Sequence, residues 1–155
     1  MKLLVLVHVL SAIIGVGPTF FGHVLMRNNQ SVESLRQSMA VGKYLEYFPK
    51  IGGTIAVLSG LILAVFGNYG SFLQIWLIGS LILYVYIQIV VIGFVAPTNR
   101  KLASWIFDPQ NIGATVLPEE IRKQYSRANR FYWAASIGGL LLFILMILKP
   151  SFQLY

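Results

Sequence analysis

The chain has 155 residues, 57% of them hydrophobic, 11% charged and none of them cysteine, with a mean hydropathy of +0.73. A water-soluble domain of this size carries about a quarter charged residues, so the composition is that of a membrane protein. The absence of cysteine excludes disulfides and thiolate metal sites.

Four apolar runs, Leu3 to Met26, Ile51 to Phe66, Phe72 to Ala96 and Phe131 to Leu148, are long enough to cross about 30 Å of hydrocarbon at about 1.5 Å per residue. In the first, His8, Ser11, Ala12, Gly15, Thr19, Gly22 and His23 fall on one helical face, while Leu, Val, Ile and Phe fill most of the rest. Such a small and polar stripe in an apolar helix predicts buried contact. Pro18 removes the hydrogen bond to the Ile14 carbonyl beside Gly15 and Gly17, which predicts a kink. Lys2 before an apolar run resembles a secretory signal, but the run is too long and no small-x-small site precedes Pro18, so it reads as an uncleaved span.

Val32, Leu35, Met39, Leu45 and Phe48 recur at helical spacing, so residues 31–48 read as an interfacial helix that bends at Pro49 into the second span. That span is short from Ile51 and therefore begins near Tyr47. Its Gly52, Ala56, Ser59, Gly60 and Gly67 form a small-residue face, matched in the fourth span by Ala135, Gly138 and Gly139. The third span carries Trp76, Ser80, Tyr84 and Gln88 at successive i, i+4 positions, a stripe that must face protein because an unpaired amide in hydrocarbon costs several kcal/mol. Pro97 is expected to end this helix, with Leu102, Trp105, Ile106 and Phe107 on the membrane surface. Pro118-Glu119-Glu120 marks the start of a helix that can run on to Leu148. With no repeat, low-complexity tract or linker, residues 1–155 read as one all-α, four-helix integral membrane domain with short interfacial helices in its loops.

The net charge of +7 would suit nucleic acid, but its placement is topogenic. Arg27, Arg36, Lys43 and Lys50 flank the first long connection, and Arg100, Lys101, Arg122, Lys123, Arg127 and Arg130 the second; only Lys2 and Lys149 lie at the other ends. The positive-inside rule then puts both loops in the cytoplasm and both termini outside. Tyr69, Phe72, Trp76, Phe152 and Tyr155 form one aromatic belt, and Tyr44, Tyr47, Trp105, Tyr132 and Trp133 the other. Lipids are the expected surroundings, and nucleic acid is excluded as a partner.

His8 and His23 are the two histidines of the chain. Fifteen helical steps separate them by about 22 Å, so they cannot share one metal or haem. No acidic residue lies mid-span and no His-x-x-x-His or Glu-x-x-His pair exists, which argues against zinc and di-iron sites. No serine, histidine and acid constellation supports hydrolysis.

Val7-His8-Val9-Leu10, Gly15 and Gly17, with the ending Met146-Ile147-Leu148-Lys149-Pro150, resembles a group of small bacterial four-helix integral membrane proteins. That group is similar in turn to copper-resistance-D-like membrane domains and HemJ-type protoporphyrinogen oxidases. The resemblance implies a multi-pass protein of the bacterial cytoplasmic membrane, with His8 matching a first-helix haem or metal ligand. The third span lacks an intramembrane lysine, and Gly15-Val16-Gly17-Pro18 stands in place of Trp-x-Gly-Gly, which argues against protoporphyrinogen oxidation and leaves haem binding.

The expectation is therefore haem b, with His8 and His23 as iron ligands, Gly15 and Gly22 giving the macrocycle room, and Arg27 and Lys50 available to propionates. Either Met26 or water completes a ligand set, or a homodimer through the first helix pairs each histidine with its symmetry mate, in membrane electron transfer between quinol and an acceptor. Two further readings remain open: a small transporter or channel component with histidines as proton or substrate contacts and Pro18 as hinge, and a non-catalytic accessory or assembly subunit whose polar first-helix face docks on a partner.

Overall fold

The computed structural model describes residues 1–67 and 74–150, Thr19 by its backbone only. Among the described residues the fold is all-helical: α1 runs Lys2–Leu25, α2 Val32–Leu45, α3 Tyr47–Phe66, α4 Ile75–Gln88, α5 Ala96–Ile106 and α6 Glu119–Leu148. Among the described residues, four helical stretches, Lys2–Leu25, Val32–Phe66, Ile75–Ile106 and Glu119–Leu148, are long and apolar enough to cross a membrane. Tyr69, Phe72, Phe152 and Tyr155, assigned above to an aromatic belt, lie outside the described residues.

Ser31 caps α2, its hydroxyl accepting from the Ser34 N–H at 3.1 Å. The break before α3 falls at Glu46, because Pro49 has no N–H to offer the Leu45 carbonyl and the α2 ladder stops there. Pro118 is the N-cap of α6, Glu119 and Glu120 occupy its first turn, and Lys149 closes it in the left-handed region at φ 41° ahead of Pro150. Helix α1 runs through Pro18 without interruption.

The third span departs from expectation. Pro97 does not end the helix. From Ile89 to Val95 the backbone winds as a π-helix, and the Ala96 N–H donates to the carbonyl of Val91, five residues back. Pro97 thus falls in the first turn of α5, where its missing N–H leaves no gap in the ladder. The predicted surface segment is corrected as well: Leu102 and Ile106 are both 0% exposed. They are buried with Met26, Val32, Leu35, Tyr125 and Ala128, because α2 lies against α5 and encloses this end of the molecule. Phe107 alone of the four is exposed.

Close contacts between the spans run in the order α3, α1, α6, α4, with α5 on α6 at the basic end. The small-residue faces are where these contacts form, since Gly52, Ala56 and Ser59 of α3 and Ala135, Gly138 and Gly139 of α6 are all buried. Leu3, Leu6, Ile13, Ile14 and Phe21 of α1 point away from the protein, as lipid-facing side chains do.

Candidate functional site

The stripe on α1 divides between two neighbours. Its first half packs on α3. A Cβ on Gly15 would stand 2.6 Å from the Gly52 carbonyl carbon, and one on Gly52 would stand 2.8 Å from Gly15 Cα, so the two backbones touch where both residues lack side chains. About two turns back along α1, His8 Nδ1 donates to the Ala56 carbonyl at 2.8 Å, with Ser59 Oγ at 3.3 Å. The Ser59 hydroxyl is itself committed to the Ile55 carbonyl at 2.6 Å. The ring lies over Gly60, where an added Cβ would stand 2.8 Å from His8 Cε1. In a neutral ring this places the proton on Nδ1 and leaves Nε2 as the acceptor.

The second half packs on α6. His23 Nδ1 lies 3.2 Å from Ser136 Oγ, and its ring sits 3.9 Å, centroid to centroid, from that of Trp133. A Cβ on Gly22 would stand 2.6 Å from a Tyr132 ring carbon. Tyr132, expected in an aromatic belt, is instead drawn inward, its hydroxyl accepting from Asn99 Nδ2 at 2.7 Å. Asn99 Oδ1 is buried without a partner among the described residues.

Sequence reasoning missed the groups that finish α1. Asn129 Nδ2 donates to the Met26 carbonyl at 2.7 Å and to that of His23 at 3.2 Å, Gln30 Nε2 donates to the Leu25 carbonyl at 2.6 Å, and the Tyr125 hydroxyl donates to the Arg27 carbonyl. Those of His23, Leu25 and Met26 are among the carbonyls that a helix leaves without partners at its C-terminus, and Arg27 follows just past the cap. No signal set them apart, because Gln30, Tyr125 and Asn129 all lie in polar, basic stretches of the chain. The third-span stripe is mixed: Trp76 and Ser80 are buried, but Ser80 bonds its own helix, at the Trp76 carbonyl 2.6 Å away.

The structure scatters the expected haem contacts. Met26 is 4% exposed within the basic-end core, Arg27 is exposed, and Lys50 is paired with Glu46 at 3.2 Å. Gly15 and Gly22 adjoin the α3 backbone and the Tyr132 ring, so neither leaves room for a macrocycle inside one chain. Within a single chain these residues do not fit a haem. Among the described residues no three His, Cys, Asp or Glu side chains gather to hold a metal ion.

A family profile described as predicted integral membrane protein, DUF2269, matches residues 2–150. The chain belongs to the DUF2269 family. The match covers all four spans of this DUF2269 member, together with α2 and α5, so the basic-end core is part of the family unit. No curated protein and no solved structure matches the chain.

Proposed function

We propose that this DUF2269 protein is an accessory or assembly subunit of the bacterial cytoplasmic membrane, with both termini outside. The observation that supports it is the use made of the α1 stripe. His8 and His23 tie α1 to α3 and α6 through Nδ1, and the glycines between them admit neighbouring backbone and aromatic rings. The stripe thereby builds the subunit itself and does not dock on a partner, the role the sequence suggests for it; a partner meets the outer, apolar surface instead. Mild detergent extraction of native membranes containing the tagged protein, followed by cross-linking and sizing, tests this. A larger complex with a fixed second polypeptide is expected; a chain that runs alone, from intact membranes at native abundance, overturns the reading.

A second reading places haem between two copies of the chain. It draws on the likeness of Val7-His8-Val9-Leu10 to copper-resistance-D-like and HemJ-type proteins, and on one contact: with Nδ1–H tied to the Ala56 carbonyl, His8 holds the tautomer in which Nε2 is free to ligate. A Soret band shifting on dithionite reduction, lost in His8→Ala, is the expected result. A colourless folded preparation from haem-replete cells ends this reading without touching the first.

A further inference from the structure

Most cations at the basic end have no acid to meet. Lys123 pairs with Glu119 at 2.9 Å, but Lys101, Arg122, Arg127 and Arg130 have no carboxylate partner among the described residues. Two of these, Arg127 and Arg130, share one face of α6 with Lys123, at spacings i, i+4, i+7 from it. Two adjoining open hollows lie there. One runs along the α6 surface and is lined by Arg122, Lys123, Ser126, Arg127 and Arg130. The other, of about 140 Å³, has Gly93, Phe94 and Pro97 at one end and Lys101, Gln124 and Arg127 at the other.

Arg127 lines both, and its guanidinium lies 5.5 Å from the centre of the Phe131 ring, which packs on Phe94 at 5.0 Å. The second hollow is therefore graded from apolar to cationic along its length. Gly93 to Lys101 are eight helical steps, about 12 Å, from the membrane interior toward its boundary. The grading follows from the π-helical turn: Gly93 lies within it, exposed, and a Cβ there would meet nothing within 4 Å.

The geometry points to a binding site for an anionic glycerophospholipid in the α5–α6 groove. Lys101 and Arg127 take the phosphodiester, Arg130 and Arg122 the rest of an acidic headgroup, and the glycerol end of an acyl chain lies along Gly93 and Phe94. Charge complementarity selects an anion, and the apolar floor selects a lipid over a soluble phosphate.

The test uses the full chain in nanodiscs of phosphatidylcholine containing a small fraction of phosphatidylglycerol, with bound lipid counted by native mass spectrometry after release. Phosphatidylglycerol is expected to be retained in preference to phosphatidylcholine. Lys101→Gln and Arg127→Gln should each reduce that preference about fivefold, while Lys43→Gln, at an exposed lysine on α2, should leave it unchanged. Gly93→Ala places a methyl group in the groove where a Cβ meets no protein atom within 4 Å, so it should lower retention while leaving thermal stability in pure phosphatidylcholine intact. Equal retention in the Arg127 and Lys101 variants, or equal loss in Lys43→Gln, overturns the site. Displacement of the lipid by glycerol phosphate would assign the cations to a soluble anion and overturn it too.

Discussion

Gly15 of α1 and Gly52 of α3 occupy each other's missing side chains: a Cβ built on Gly52 lies 2.8 Å from both the Cα and the N of Gly15. Lipid gives two helices little hydrophobic reason to meet, so the gain comes from van der Waals contact that only such close approach allows.

Gly15→Ala is therefore expected to destabilise the protein by about 1–3 kcal/mol, the usual range for overpacking. Gly17→Ala, two residues on and with nothing within 4 Å of its Cβ, should be neutral or stabilising by up to about 1 kcal/mol from helix propensity. Thermal unfolding in one detergent compares the two. Equal effects would mean that α1 and α3 do not touch there.

His8→Ala should cost about 1–2 kcal/mol through loss of the Ala56 tie. His23→Ala should cost a similar amount, its ring losing both Ser136 and Trp133. The two lie about 22 Å apart, so the double variant should show the sum. A strongly non-additive result in the same unfolding assay would reveal a link between them that the fold does not provide.

Arg36 holds the end of α5, its Nε donating to the Ile106 carbonyl at 3.1 Å and its Nη2 to the Asn111 carbonyl at 3.2 Å. Charge-assisted bonds of this kind contribute about 1.5–3 kcal/mol, and the forked guanidinium serves two carbonyls where an ammonium is a single point. Arg36→Lys should thus recover little of what Arg36→Ala loses. Hydrogen exchange at residues 103–111 reads the effect directly.

The π-helical turn predicts an asymmetry in deletions. Removing exposed Ile92 winds Ile89–Val95 toward an α-helix and keeps the downstream face in phase, so Leu102 and Ile106 stay in the core and the cost is confined to the one bond that Pro97 cannot make. Removing Leu81 from regular α4 rotates one side of the helix by about 100° against the other. Proteolysis of detergent-solubilised protein should leave the Ile92 deletion near wild-type resistance and open the Leu81 deletion.

Apolar length alone revealed the four spans, and small residues alone revealed which faces meet. Gly15, Gly52, Gly138 and Gly139 fulfil that reading because close approach has a plain composition signal. Pro97 misled for a physical reason: a proline marks where one hydrogen bond is missing, and nothing in the sequence says that the ladder will widen upstream to absorb the loss. Leu102 and Ile106 looked superficial for a second reason, since the helix that covers them, α2, lies far off in the chain. The histidines were legible as polar residues facing protein, and both are half-buried. Their partners Ala56 and Ser136 were not, because a backbone carbonyl is the same at every position and hydroxyls are common.

Helix α6 has 30 residues and is therefore about 45 Å long, about 15 Å more than the hydrocarbon it crosses. Tyr125 and Ala128 sit on the excess, packed with Leu35, Leu102 and Ile106. One molecule is thus held by two forces with opposite thermal character. Between the spans, dispersion contacts displace lipid and release little ordered water; in the protruding cluster, apolar surface leaves water. The heat-capacity increment of unfolding then belongs almost wholly to the cluster, so cooling should loosen the protruding end while the helices in the bilayer stay locked.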